Sequence, residues 1–508
     1  MPEKLSRLSD LVKLLVRHGG AGLLSASSAD EFLTQADEQG DAGEGPDRLA
    51  AYLESMGPTY IKLGQLLSTR HDLLPQAYTD ALARLQDDVE PISADDVRAI
   101  ITQELKADVR ALFEEFDDEP LAAASLGQVH RARTKTGKDV VVKVQRPDVR
   151  ETVRDDMELL TQGAGMIDTR TSLGERIGTA DLLAQFRRSI ADELDYRKEL
   201  ANLEKFAELV EDEGILVVPR PVRDYSTSQV LTMEFIEGRK VTDISPVGLL
   251  DIDGTAMAGA LFHFFLDTLL NHGILHADPH PGNLLVTPEG QLALIDMGMV
   301  VRVPRRVRQQ LVRVLLAIGE GDGEEVANVL GSMGHPLSDF DAAAFRDDVS
   351  HLVSSVLSLG KDLQAGSVLV SLARISGTHG LRPPAEMSMI GKALLNLDQA
   401  VEHLDPHFVP AEAIRENVAT LITSGFSISN GSAIAAALET KEFAANLPRR
   451  ANRIMDALSN GELTMRVDAL DEDRLFQTMH QVANRLTVGL VLAAVTIAAA
   501  LMSNIDTG

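Results

Sequence analysis

Apolar residues along this chain recur mostly at helical spacing, interrupted by a few short Val- and Leu-rich runs of strand length. Residues 4–17 place Leu5, Leu8, Val12 and Leu15 on one face, with Lys4, Arg7, Lys13 and Arg17 around them. Such a helix suits either an acidic membrane surface or the chain's own core. Residues 35–48 are polar, Gly-rich and without period, and read as a linker. Pro58 can open a helix at its first turn, followed by a stripe of Leu63, Leu66 and Leu67. Lys62, Gln65 and Thr69 fall on another face; a polar stripe is usually solvated, and spacing does not single out Lys62. Leu183, Phe186, Ile190, Leu194, Leu203 and Phe206 predict one long helix over 181–207.

Within that helix Asp195 and Glu199 would share a face and Glu193 would point elsewhere. The residues alone do not choose between Glu193 and Glu199. Residues 305–480 read as helices with polar connectors and carry no catalytic constellation. Glu402–His407 reads as a helix end leading into a turn more readily than as a metal site. Leu486 to Met502 is an uncharged run of 17 residues, at the lower limit of the roughly 20 that span a bilayer. Arg474 and Arg485, with Arg449, Arg450 and Arg453 upstream, place its N-terminal side in the cytoplasm. A buried C-terminal helix is the alternative; the lack of alternating charge favours the membrane.

The strand-like runs carry the chemistry. Val140–Val144 is a valine run with Lys143 inside it, a costly placement unless the ammonium meets an anion. An edge strand whose lysine reaches out to water is the bland alternative. Upstream, Ala122–Val129 can be laid on the phosphate loop G-x-G-x-x-G-x-V. Only Gly127 survives of its glycines; Ala122 and Ala124 fill the first two places, with Ala123 and Ser125 beside them and Val129 at the end. Glycine lets backbone N–H groups approach phosphate, so the two alanine Cβ atoms restrict that approach. Val230–Gly238 reads as a buried strand running into a hinge, with Met233 behind an adenine pocket and Glu234 to Ile236 offering backbone hydrogen bonds.

The stretch from His276 to Asn283, followed by Ile295-Asp-Met-Gly298, has the spacing of a phosphoryl-transfer centre. Asp278 stands five residues before Asn283, and a second metal-binding Asp, Asp296, arrives in a D-x-G turn. Leu284–Val286 and Leu292–Ile295 predict two strands joined at Thr287–Gly290. Such a hairpin delivers two hard oxygen ligands to one Mg²⁺. His272, His276 and His280 would line a helix for a metal, but Pro279 and Pro281 break that helix.

Net charge is −28 and the pI about 4.8, which disfavours nucleic acid as a partner. With no cysteine there is no disulfide, thiolate chemistry or sulfur-bound zinc. No secretory signal opens the sequence, so the bulk is expected in the cytoplasm.

Taken in order, Lys62-Leu-Gly-Gln65, the Ala-rich loop at 122–127, Lys143, Glu193-Leu-Asp195, Glu199, His276 to Asn283 and Asp296-Met-Gly298 resemble the UbiB family of atypical protein-kinase-like proteins. The resemblance covers roughly 50–310, and more loosely the C-terminal tail. It implies an α+β, two-lobed kinase-like fold with a helical K-x-G-Q extension, a helical C-terminal extension and a transmembrane helix. The corresponding segments are 1–48 as amphipathic segment and linker, 49–118 as K-x-G-Q extension and 119–240 as N-lobe. The C-lobe core follows at 241–330, its helical extension at 331–480 and the membrane span at 486–502.

The resemblance also implies roles. Lys143 would pair with Glu199 and hold nucleotide, Asp278 would be the catalytic Asp, and Asn283 and Asp296 would bind Mg²⁺ beside ATP or ADP. Lys62 would approach Glu193 and Asp195, with Gln65 on the same regulatory segment. Partners implied are a membrane lipid or isoprenoid quinone precursor, quinone-biosynthesis proteins and a second copy in a homodimer, at the cytoplasmic membrane. Activity as an ATPase or small-molecule kinase leads; a nucleotide-binding pseudokinase is the runner-up. A protein kinase proper is disfavoured, because Ala277 replaces the arginine of H-R-D and no A-P-E motif follows Gly298.

Overall fold

The structure is a computed structural model that describes residues 44–413, apart from 71–72, 86–89, 169–178, 212–213, 246–247, 249–251, 360–363 and 411–412. The helix at 4–17, the span at 486–502 and the basic residues before it lie outside the described residues. Among the described residues no helix is long and apolar enough to cross a membrane.

The described residues open with helices α1 (Glu44–Met56), α2 (Pro58–Ser68) and α3 (Gln76–Ala83). Residues 44–48, expected as linker, form the first turn of α1, because Leu49 and Leu53 bury one face of that helix. Gly57 separates α1 from α2 at φ +103°, a conformation that suits glycine, and Pro58 then starts α2. Gly64 lets α2 lie close against Leu85 and Leu53, where a Cβ would collide. Helices α4 (Ala94–Leu105) and α5 (Val109–Leu112) follow, capped by the Ser93 and Asp108 side chains.

Strands β1 (Phe113–Phe116), β2 (Ala122–Ala123), β3 (Gly127–Thr134) and β4 (Asp139–Gln145) come next. The N-lobe sheet therefore starts at Phe113, not at 119. Helices α6 (Val149–Asp168), α7 (Thr179–Glu193) and α8 (Tyr196–Leu209) precede the short β5 (Leu216–Val217) and β6 (Val230–Glu234). The sheet order is β1-β3-β4-β6, with β2 paired to β3. The expected single helix over 181–207 is two helices. Its break at Leu194 and Asp195 is fixed because the Leu194 carbonyl accepts from Gln145 Nε2 at 2.7 Å and Arg150 Nη2 at 2.8 Å. Asp195 then caps α8 through the Arg197 N–H.

The second lobe contains β7 (Arg239–Lys240), α9 (Gly254–Asp267), β8 (Ile274–His276), β9 (Leu284–Val286), β10 (Leu292–Leu294) and β11 (Val300–Arg302). Helices α10 (Arg305–Glu320) and α11 (Gly323–Met333), strand β12 (His335–Pro336), helices α12 (Ala342–Leu359) and α13 (Ala365–Thr378), strand β13 (Leu381–Arg382) and helix α14 (Ala385–Leu404) complete it. The hairpin β9–β10 pairs Leu284 with Leu294 and turns at Gly290, φ +80°. Strand β11 pairs with β8 within two residues of Gly298, so the chain passes from the D-x-G turn straight into a sheet.

Three apolar clusters hold this together. One fills the second lobe and includes α8 and Met233. Another joins α1 and α2 to α6 and α7. The third packs α4 and α5 on the N-lobe sheet. Thus the K-x-G-Q helices dock on the two helices that precede α8, with Thr59 Oγ1 donating to the buried Asp156 at 2.8 Å.

Candidate active site

Strand β4 lies between β3 and β6, which rules out an edge-strand lysine. The Lys143 ammonium instead donates to both Glu199 oxygens, at 3.0 and 2.9 Å. Glu199 stands on the first turn of α8 and is 5% exposed. Burial opposes the Lys143 charge, but Glu199 and Asp296 outweigh it and hold its pKa well above that of a free lysine. Burial, with Asp296 adding to it, pushes the Glu199 carboxyl up against the opposing pull of Lys143. The Tyr196 ring lies 5.3 Å from the Lys143 ammonium, a cation–π contact inside the protein.

The catalytic-loop segment hangs between β8 and β9. The His276 ring links its two ends: Nε2 donates to the Asp296 carbonyl at 2.7 Å and Nδ1 accepts the Asp278 N–H at 3.1 Å. These partners, a carbonyl and an N–H, set the tautomer. His280 caps the tight turn Pro281–Asn283, and the Asn283 carbonyl accepts the Ile295 N–H at 3.1 Å. Asn283 and Asp296 therefore leave the same end of the β9–β10 hairpin. The Gly298 N–H donates to Asp296 Oδ1 at 2.8 Å and closes the D-x-G turn. Burial pushes the Asp296 carboxyl up, yet Lys143, Gly298 and His276 hold it below the ordinary range. An anionic carboxylate near a half-buried ammonium, next to an amide-bearing turn, is a donor set that fits a hard divalent ion and phosphate oxygens.

Several expectations change in detail. Lys62 Nζ meets Glu193 at 2.6 Å, whereas Asp195 serves as helix cap and pairs with Arg197 at 2.7 Å. The break falls between Glu193 and Asp195, so Asp195 stands at the N-cap of the helix that carries Glu199, off its helical face. Gln65 Nε2 donates to the Leu85 carbonyl at 3.3 Å. At the hinge, the Glu234 and Phe235 N–H groups already donate to the Arg220 and Asp139 carbonyls, leaving Ile236 as the next backbone group along. Met233 is buried behind it, paired with Val141.

The Ala-rich loop is a tight turn between β2 and β3, with the Ala124 N–H on the Gly127 carbonyl at 2.7 Å. Arg146 grips it from below, donating to the Ala124 carbonyl at 2.9 Å. Ala122 is exposed, Ala123, Ala124 and Val129 are half-buried, and Ser125 is buried. Gly127 is required by crowding, since a Cβ there would sit 2.5 Å from Tyr196 Oη and 2.6 Å from the Val144 carbonyl.

Residues 84–330 match the family model of the ABC1 atypical kinase-like domain, and 470–508 match that of the ABC1/UbiB kinase-like C-terminal domain. A probable protein kinase UbiB of Azotobacter vinelandii is 32% identical over 71% of this chain and 68% of its own length. The chain belongs to the ABC1/UbiB family of atypical kinase-like proteins. An uncharacterised protein of Synechocystis is 32% identical over 87% of this chain and 78% of its own length. Among solved structures, Rv3197 of Mycobacterium tuberculosis, solved with erythromycin, is similar at a TM-score of 0.51 and 23% identity. It covers 77% of this chain and 98% of its own, a likeness of fold alone.

Two side chains of this UbiB-family site had no signal in the sequence. Asn202, one helical turn beyond Glu199 on α8, donates to the Met297 carbonyl at 3.0 Å and so pins the D-x-G turn. Its i, i+3 relation to Glu199 was available, but nothing local marks an amide as a partner for a turn 95 residues away. Asn396, on α14, donates to Asp278 Oδ1 at 2.6 Å. Residues 305–480 therefore do contribute to the site.

Proposed function

We propose that this chain is a Mg²⁺-dependent, ATP-using phosphoryl-transfer enzyme, acting as an ATPase or small-molecule kinase on or near isoprenoid-quinone intermediates. The observation that carries the reading is the Lys143–Glu199 pair, half-buried at the ammonium and buried at the carboxylate, within the electrostatic reach of Asp296. Lys143 would hold nucleotide phosphate oxygens, with the Ala122–Gly127 turn covering them and Ile236 at the adenine edge. Asn283 and Asp296 would hold the metal, which when bound supplies charge neutralisation of the transferring phosphoryl group. Asp278 would orient the attacking hydroxyl or water and take its proton. Fixed positive charge in a half-buried cleft acts on the developing charge with little reorganisation, which is the main source of rate in such sites.

The uncharged run 486–502 is the basis for proposing an anchor in the cytoplasmic membrane, with the catalytic lobes on the cytoplasmic side. Attachment there would bring the cleft to a lipid-borne substrate. A peptide substrate is disfavoured by the direct passage from Gly298 into β11.

One observation favours a second reading, a pseudokinase that uses nucleotide as a conformational ligand: Cβ atoms at Ala122 and Ala124 narrow the space for phosphate. Hydrolysis of Mg·ATP by the purified full chain, with and without anionic liposomes carrying a phenolic quinone precursor, separates the two. Turnover that rises with the lipid and disappears in Asp296→Asn supports the enzyme. Nucleotide binding without turnover under every condition moves the conclusion to the pseudokinase.

A further inference from the structure

The catalytic-loop Asp is fixed from two directions. Its backbone is held within the loop, the N–H by His276 Nδ1 at 3.1 Å and the carbonyl by the His280 N–H at 2.8 Å. Its side chain is held from outside the kinase core, by Asn396 Nδ2 at 2.6 Å from Oδ1. A carboxylate only accepts, so the amide must present its NH₂ group there. Helix α14, which carries Asn396, is itself anchored. Met387, Ile390, Leu394, Leu397, Val401 and Leu404 form one buried stripe at alternating three- and four-residue steps. Asp398, two residues on, accepts the Gly366 N–H of α13 at 2.9 Å.

We propose that Asn396 is a positioning residue for Asp278, so that α14, outside the matched segment 84–330, completes the catalytic apparatus. The inference rests on the phosphoryl-transfer reading. One carboxylate oxygen is occupied by a donor with no acidic proton, which fixes the rotamer and leaves Oδ2 to face the nucleophile. As the nucleophile's oxygen bonds to the γ-phosphorus, its proton passes to Asp278. The bond from phosphorus to the bridging oxygen breaks, and that electron pair leaves with the nucleoside diphosphate. Loss of the amide frees the Asp278 side chain without touching nucleotide, and misplacement of this kind lowers rate by on the order of 10- to 100-fold.

The test is steady-state Mg·ATP turnover by the full chain as parent, Asn396→Ala, Asn396→Gln and Asp278→Asn, with melting midpoints for each. Gln399→Ala, an exposed position on the same helix, is the control. The expected result is a kcat lowered by about 10- to 100-fold in Asn396→Ala, with KM for ATP within about twofold and the melting midpoint nearly unchanged. Asn396→Gln, which keeps the amide, recovers part of kcat, and Gln399→Ala matches the parent. A parental kcat in Asn396→Ala overturns the proposal, as does a loss in which kcat and melting fall and KM rises together with no recovery in Asn396→Gln. Should the parent itself show no turnover, the phosphoryl-transfer reading falls, and urea unfolding of Asn396→Ala, Asp278→Ala and the double variant decides the positioning. Midpoint shifts that fail to add support the bond; shifts that add within error overturn it.

Discussion

Asp398 offers a pH test of the helical extension. Its carboxyl is 4% exposed; Oδ2 accepts the Gly366 N–H at 2.9 Å, while Oδ1 has no hydrogen-bond partner among the described residues. Burial pushes the group up from 3.8 to about 7; the Gly366 N–H opposes the shift and Glu402 adds to it. The unfolded chain loses this proton near 3.8 and the fold keeps it to about 7, so between those values the native state binds more protons. Stability therefore falls as pH rises through that window and levels off above about 7. Each unit corresponds to about 1.4 kcal/mol, so pH 5 to pH 8 costs the parent about 3 kcal/mol through this group. Asp398→Asn keeps a carbonyl oxygen for Gly366 and removes the titration. Urea unfolding of both proteins at pH 5 and pH 8 is the assay. The difference in unfolding free energy should swing toward the variant by about 3 kcal/mol between the two pH values. At pH 8 the net gain is smaller, on the order of 1–2 kcal/mol, because the new NH₂ lies where Oδ1 has no partner. Parallel pH profiles within about 0.5 kcal/mol would refute the assignment of a buried, proton-holding carboxyl.

Three further outcomes are expected. Lys143→Met should lower Mg·ATP turnover by about 10²- to 10³-fold, measured by coupled phosphate release, and a parental rate would remove Lys143 from the site. Gly127→Ala should destabilise the protein by about 1–3 kcal/mol in urea, since the added methyl meets Tyr196 Oη and the Val144 carbonyl; an unchanged midpoint contradicts the crowding. Lys62→Met and Glu193→Gln should each loosen the docking of α2, by on the order of 1–2 kcal/mol, and speed limited proteolysis of residues 44–68. Because the two side chains meet each other, their double variant should be no worse than either single one; additive loss refutes the pairing.

Much of the second lobe's catalytic edge was legible because its signals are local. Pro279, Pro281 and Gly282 between His276 and Asn283 exclude a helix, and two apolar triplets around Thr287–Gly290 leave little but a hairpin. Lys143 was legible for the opposite reason, as one charge in a valine strand that would be costly unpaired. The break at Leu194 was hidden, since the apolar period runs through it and the donors that end α7 come from Gln145 and Arg150. Local spacing also misplaced Asp195, which reads as a helix-face carboxylate until the break makes it a cap. Asn202 and Asn396 were silent because an amide on a helix face is ordinary, and their partners lie 95 and 118 residues away.

Helix α8 grips both lobes with neighbouring side chains. Glu199 holds Lys143 of the first lobe and Asn202 holds the Met297 carbonyl of the second. Three residues along a helix are about 4.5 Å, and a helix moves as a rigid rod. The two lobes are therefore tied through a single turn of one helix, with no loop between the two grips. A substitution that shifts α8 is felt by Lys143 and by the D-x-G turn together.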